Sequence, residues 1–135
     1  MTQWIENYFH QMLDEFDGPL LKNSEITIQS NHLNHIKTAH GGILMILVDV
    51  CGSLVIALKG LNHSSGVSTN INISFTNPAK EDDVLFVGAE CIKFGKAMGY
   101  ADIKIYNKYT RKLIAQSQHV KYIVIALKQS EKAKF

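Results

Sequence analysis

The chain has 135 residues, of which 46% are apolar and 19% charged, and its net charge is +2. This length and composition suit a single globular domain, expected to span residues 1–135 with its core over about 20–127. Lysine and arginine are scattered rather than clustered, so nucleic acid is not expected as a partner. Enough cations remain to hold a phosphorylated small molecule.

The N-terminal segment predicts a short amphipathic helix over about residues 3–13, where apolar side chains recur at helical spacing and Gly18-Pro19 follows. The segment lacks the basic-then-apolar layout of a signal peptide and the arginines of a transit peptide. Cys51 and Cys91 are expected to be buried thiols in a reducing compartment. A cytoplasmic location is therefore expected, and the mitochondrial matrix stays open as an alternative.

A long uncharged run over 41–58, interrupted by Asp49, predicts a buried helix that opens at His40-Gly41-Gly42 and stops near Lys59-Gly60. A strand over 20–30 and a polar loop over 31–39 precede it. The run just reaches the length that spans a bilayer. Asp49 at its centre and the strands around it argue against membrane insertion.

The second half of the chain predicts strand after strand. Val67 to Phe75 alternates apolar and polar residues with a strict period of two. Further strands are predicted over 84–92, 99–106 and 112–127, and a frayed tail from residue 128. A helix that is apolar on every side needs cover on every side. The predicted fold class is therefore α+β, a curved antiparallel sheet wrapped around a long central helix.

Asp49 is the first candidate for chemistry, because a carboxylate on an apolar helix is costly to bury. The alternative is a core carboxylate satisfied by backbone or hydroxyl groups. At the start of the helix, the first N–H groups have no partner within the helix, and glycines leave them sterically open. Gly41 and Gly42 could hold a polarised carbonyl oxygen as an oxyanion hole does, or could simply cap the helix.

Asp49 lies eight residues after Gly41, which is roughly 12 Å along a helix. Its side chain cannot reach back to its own helix start. If both groups act on one substrate, one must come from another chain. Two helices packed antiparallel about a two-fold axis would then form two equivalent sites in a homodimer.

These residues resemble a known family. His40-Gly41-Gly42, the helix through Asp49 and the strand opening at Gly66-Val67-Ser68 are similar to the hotdog-fold acyl-CoA thioesterases, of the phenylacetate-type and thioesterase superfamily member 2-like groups. The likeness covers roughly residues 20–125. It continues through four further segments: Asn72 to Phe75, Pro78-Ala79-Lys80, Lys93-Phe94-Gly95-Lys96 and Lys112 to Gln116.

The resemblance implies a hotdog fold and hydrolysis of acyl-CoA to free acid and coenzyme A, with no cofactor. Asp49 would act as general base on water or as nucleophile, and the Gly41 N–H would polarise the thioester carbonyl. Asn34 would lie near the thioester, and Ser68 would help hold the attacking water. Asn34 and Gly41 would come from one subunit, and Asp49 and Ser68 from the other. A homodimer that pairs again into a homotetramer is implied.

Several assignments stay open. His40 could hold the helix start or act as an acid. His32, His35 and a nearby carboxylate could bind zinc, although no metal is expected, and Cys51 could be a nucleophile. The best candidates for contacts to coenzyme A are Gly42 and the turn Phe94-Gly95-Lys96. Other candidate cations for its nucleotide are Lys93, Arg111, Lys112 and His119.

Three functions are compatible with this pattern. The first is an acyl-CoA thioesterase. The second is a non-catalytic acyl-CoA or acyl-carrier binding module on the same fold, which would have no need of the carboxylate. The third is a hydratase or dehydratase, whose usual Asp and His arrangement is not found. The identity of the acyl group is not predicted.

Overall fold

The computed structural model describes residues 21–61, 66–124 and 127. The predicted helix over 3–13 and the tail from 128 lie outside these residues. The described part contains one 3₁₀ turn, Ser30–His32, one long helix, α1 (Gly41–Ala57), and strands β1 (Leu21–Thr27), β2 (Val67–Phe75), β3 (Val84–Phe94), β4 (Met98–Asn107) and β5 (Leu113–Tyr122).

The five strands form one antiparallel sheet in the order β1-β3-β4-β5-β2, and α1 packs on its inner face. Apolar side chains alternate with polar ones along the central strands, so that Leu85, Val87, Ile103 and Ile105 point inward and are almost fully buried. Burial of a side chain of this size stabilises the fold by about 1.5–3 kcal/mol. The predicted architecture, a sheet wrapped on a central helix, is confirmed.

The prediction that α1 is covered on every side is wrong for the single chain. Leu47, Val48 and Val55 are buried against the sheet, whereas Met45 is 40% exposed and the Asp49 side chain 53% exposed. The sheet therefore covers one side of α1 and leaves a face that includes Met45 and Asp49 open. None of the described helices combines the length and the apolar character that a bilayer crossing requires.

Strand β2 departs from the strict two-residue alternation that its sequence predicts. Its register with β5 pairs Ser68 with Lys121 and Asn70 with Val120, so Thr69 is an extra residue in a β-bulge. A bulge changes the side to which the preceding side chains point. Ser68 therefore lies on the same inner face as Ile71, rather than on the outer face with Asn70 and Asn72.

Strand β5 ends at Tyr122, five residues before the predicted end at Leu127. Tyr122 pairs with Met98 on one side and with Val67 on the other, and these are the first residues of β4 and β2. Neither neighbouring strand extends past Tyr122, so the backbone beyond it has no strand on either side with which to pair.

Candidate active site

Asp49 lies midway along α1 on its open face. Its Oδ1 accepts a long hydrogen bond of 3.4 Å from the hydroxyl of Ser53, one helical turn later. The same oxygen lies 3.7 Å from Nε2 of His119 on β5, which is beyond hydrogen-bond length. Asp49 is thus an accessible carboxylate with polar groups on its sheet side.

Ser68 joins this group through the imidazole of His119. Its Oγ lies 2.8 Å from His119 Nε2, although the two residues are far apart in sequence. The bulge at Thr69 makes this contact possible, because it places Ser68 on the inner face of the sheet. The structure therefore brings Asp49 and Ser68, two of the predicted catalytic residues, to within 3.7 Å of one imidazole nitrogen.

His119 is fully buried, and Gly52 on α1 provides the space for its ring. Burial lowers the pKa of His119 from 6.5 to about 4, with Asp49 acting in the opposite direction and Lys121 adding to the decrease. The imidazole is therefore neutral at pH 7. The assignment of His119 as a surface cation for coenzyme A is wrong, because the ring is neither exposed nor charged.

Lys121 lies two residues after His119 on β5 and faces the same side. Only 4% of it is exposed, and its Nζ donates a 2.8 Å hydrogen bond to Ser53 Oγ. Burial lowers the pKa of Lys121, while the charge of Asp49 acts against this decrease. A series of polar contacts therefore leads from Lys121 through Ser53 to Asp49.

At the start of α1, His40 caps the helix. Its Nδ1 accepts a 2.9 Å hydrogen bond from the N–H of Gly42, and its carbonyl accepts those of Ile43 and Leu44. His40 thus performs the structural role that was one of its two predicted alternatives. Within the described part of the chain, the Gly41 N–H makes no hydrogen bond and can receive an external acceptor.

Asn34 organises the loop that leads into α1. Its Oδ1 accepts hydrogen bonds from the N–H groups of Ile36 and Thr38, and its Nδ2 donates to Thr38 Oγ1 at 3.0 Å. A backbone bridge between Leu33 and Ala39 closes the loop. An amide nitrogen has two N–H groups, so one donor of Asn34 is left after the bond to Thr38.

A groove of about 310 Å³ lies beside Gly41. Its apolar walls include Leu44, Phe75 and Ala79, and the Phe75 ring lies against Gly41. Phe75 is 53% exposed, which leaves its ring accessible from the groove. The groove could take an apolar or thioester-bearing group next to the Gly41 N–H.

The two halves of the predicted site lie apart in one chain. Asp49 and Ser68 both lie close to His119 near the middle of α1, whereas Asn34 and Gly41 lie at or before its first residue, roughly 12 Å away along the axis. The turn Phe94-Gly95-Lys96 is near the other end of α1, because the nearby Gly99 packs against Ile56. One chain therefore does not bring together all the predicted site residues.

Sequence reasoning did not identify Ser53, His119 and Lys121 as neighbours of the carboxylate. The sequence of β5 does contain an indication of their position. His119 and Lys121 are separated by even numbers of residues from the buried Ala115 and Ile123, which predicts that all four face the interior. Among the described residues, no group of three or more histidine, cysteine or acidic side chains could hold a metal ion. Cys51 and Cys91 are buried, as predicted.

A family model described as the Thioesterase superfamily matches residues 36–114, more than half of the chain. The chain is also 33% identical over 99 residues to mouse acyl-coenzyme A thioesterase 13, covering 73% of this chain and 70% of that protein. The chain therefore belongs to the thioesterase superfamily, a class of enzymes that hydrolyse thioesters.

Solved structures agree with this assignment. Zebra fish thioesterase superfamily member 2 superposes with a TM-score of 0.75 at 28% identity, over 87% of this chain and 94% of that one. A hypothetical thioesterase protein from Streptococcus pneumoniae, solved with coenzyme A, gives a TM-score of 0.73 at 26% identity, over 80% of this chain and 84% of that one. The fold is thus the hotdog fold that the resemblance implies.

Proposed function

We propose that this protein hydrolyses acyl-CoA thioesters at sites formed between two copies of the chain. The observation that carries the proposal is the position of Asp49, an accessible carboxylate on the open face of α1, in a thioesterase fold. The name of the mouse relative and the coenzyme A in the Streptococcus pneumoniae structure support an acyl-CoA substrate.

In this mechanism, Asp49 accepts a proton from water while the water oxygen attacks the thioester carbonyl. The Gly41 N–H and the remaining N–H of Asn34, from the other subunit, stabilise the negative charge on the carbonyl oxygen. The carbon–sulfur bond then breaks, and the proton held by Asp49 passes to the departing thiolate. The alternative role of Asp49, direct attack as a nucleophile, gives the same products.

A homodimer would unite the two halves of the site. The open face of α1 carries the exposed Met45 beside Asp49, and β2 is an edge strand with exposed apolar residues at both ends, Val67 and Phe75. Exposed apolar faces and unpaired strand edges are surfaces that a second copy can cover. Two α1 helices packed antiparallel would place each Asp49 near the partner's helix start. Further pairing of dimers would give the homotetramer.

The first experiment measures thiol release across a panel of acyl-CoA substrates with the wild type, Asp49→Asn and Asp49→Ala. Turnover in the wild type that is lost in both variants supports the proposal. Saturable acyl-CoA binding without thiol release would favour a binding module instead. Turnover that persists in Asp49→Ala would remove Asp49 from the mechanism.

A complementation experiment tests the shared site. Inactive Asp49→Ala and Asn34→Ala chains are unfolded together, refolded and assayed. In a shared-site dimer, each mixed dimer has one intact site, so the mixture recovers about a quarter of the wild-type activity. If all catalytic residues came from one chain, mixing would restore nothing.

The location also remains a proposal. Two cysteines buried in the core suit a reducing compartment. We therefore place the protein in the cytoplasm, with the mitochondrial matrix as the alternative outcome of a cell-fractionation experiment.

A further inference from the structure

Two polar side chains, His119 and Lys121, are buried side by side on the inner face of β5. Burial of an imidazole and an ammonium group costs free energy that apolar side chains at the same positions would avoid. The fold alone does not require them, because Ile103 and Ile105 fill equivalent inner positions on β4. Each contacts a serine hydroxyl, His119 that of Ser68 and Lys121 that of Ser53, and Ser53 in turn contacts Asp49.

The surroundings of His119 indicate which ring nitrogen carries its proton. Among the described residues Nδ1 has no hydrogen-bond partner, and it lies against the backbone of Gly52. A buried N–H without an acceptor is less tolerated than a buried acceptor without a donor. A protonated Nε2 also faces the Asp49 carboxylate favourably, whereas a lone pair there would be repelled. The neutral tautomer with the proton on Nε2 is therefore favoured.

This tautomer fixes the direction of the hydrogen bond to Ser68. The Nε2–H of His119 donates to Ser68 Oγ at 2.8 Å, so the serine hydrogen is left to donate elsewhere. Ser68 therefore keeps a free donor near His119, which itself lies 3.7 Å from Asp49, and this donor is available to an attacking water.

The hydrogen bonds from Lys121 through Ser53 to Asp49 have a fixed direction as well. A lysine ammonium group only donates, so Lys121 Nζ donates to Ser53 Oγ at 2.8 Å. Ser53 then donates its own hydrogen to Asp49 Oδ1. These hydrogen bonds end at Oδ1 of Asp49, and His119 Nε2 lies 3.7 Å from the same oxygen, which leaves Oδ2 to accept the proton from water.

We infer that His119 and Lys121 are positioning residues. His119 fixes the hydrogen-bond direction of Ser68, and Lys121 fixes that of Ser53, which occupies Oδ1 of Asp49 and leaves Oδ2 for the attacking water. This inference rests on the proposed thioesterase function. It assigns neither residue a direct contact with the substrate.

The kinetic test compares His119→Leu with His119→Gln. Leucine fills the space without a donor, whereas the glutamine amide can place an N–H near the position of Nε2. We expect His119→Leu to lower kcat by roughly 10–100-fold with KM little changed, and His119→Gln to recover most of kcat. A purely structural role would lower thermal stability without this pattern. Wild-type kcat in a folded His119→Leu protein would overturn the inference.

Lys121 is tested by a double-mutant cycle with Lys121→Met, Ser53→Ala and the double variant. If Lys121 acts through Ser53, the double variant loses no more kcat than the larger single loss. Additive losses in folded proteins would show that Lys121 acts by another route.

A measurement independent of activity separates this inference from the proposed function. Long-range proton–nitrogen NMR of the intact protein at pH 7 reports the tautomer and charge of His119. A neutral ring protonated on Nε2 is expected even if no acyl-CoA is hydrolysed, and a ring protonated on Nδ1 or on both nitrogens would overturn the inference. Absence of wild-type turnover with all acyl-CoA substrates would instead count against the proposed function.

Discussion

Gly52 on α1 and His119 on β5 are in direct contact, and the glycine leaves no room for even one additional carbon. A Cβ built on Gly52 would lie 2.5 Å from Nδ1 of His119 and 3.1 Å from Cδ1 of Ile103. The position of the imidazole therefore depends on a small residue one turn from Asp49.

Gly52→Ala should displace the His119 ring and disturb its contact with Ser68. We expect kcat to fall about tenfold or more and the free energy of unfolding to fall by about 1–3 kcal/mol. Gly99→Ala is a matched control. Its Cβ would lie 2.7 Å from Cγ2 of Ile56, so it creates a similar clash with α1 at a position distant from Asp49. Steady-state kinetics and urea unfolding of both variants make the comparison. Equal losses of kcat would contradict the link between Gly52 and the site.

Asp49→Asn should lower kcat by about 10²–10⁴-fold, because an amide cannot accept the proton from water. The side chain is half exposed, so the melting temperature should change little. Asp102→Asn, on an exposed residue of β4, is the control and should keep wild-type turnover. The measurement is thiol release together with a thermal melt.

The stability of the protein should decrease in mild acid because of His119. Its pKa is about 4 in the folded state and near 6.5 in an unfolded chain, so the unfolded state binds more protons between these values. Stability present above pH 6.5 is therefore lost as the pH falls toward 4, by roughly 3 kcal/mol at most. The charged groups facing the ring are Asp49 and Lys121.

Urea unfolding at pH 7 and pH 4.5 measures this contribution. His119→Leu should lose less stability between the two pH values than the wild type, because it has no imidazole to protonate. Contributions from the carboxylic acids are shared by both proteins and cancel when the two changes in the free energy of unfolding are compared. An identical decrease in both proteins would show that His119 is not the group responsible.

Met45→Lys should weaken the proposed homodimer and its activity together. Met45 is exposed on the open face of α1, so a charge there costs little in one chain but would be buried between two. We expect association at least about tenfold weaker, measured by analytical ultracentrifugation. Tyr109→Ser, on the exposed turn between β4 and β5, is the control. A Met45→Lys protein that assembles normally would move the interface elsewhere.

The sequence predicted α1 and the strand series well, because these elements follow from local periodicity. The uncharged run from Gly41 begins and ends close to the observed helix, and the alternation from Val67 covers the whole of β2. Asp49 also stood out locally, since it is a charge within an apolar run. Features of this kind are encoded within a few residues of one another.

Other features depend on register and contacts across the sheet. The bulge at Thr69 moves Ser68 to the inner face, and no residue pattern in β2 marks it. His119 meets Ser68 only after β2 and β5 pair, so its role in the site was missed. The end of β5 at Tyr122 depends on where its two neighbours begin. Features of this kind can be predicted only when the pairing between the two strands is known.

The bulge in β2 has a consequence for engineering the strand. Side chains along a β-strand alternate between the two faces of the sheet, so one additional residue reverses the alternation on one side of it. Deletion of Thr69 would remove the extra residue and leave Ser68 opposite Lys121 on the inner face, with Asn70 still outward and Ile71 still inward. The strand could thus be made regular while Ser68 keeps the same partner on β5, because the bulge absorbs one residue without moving that pairing.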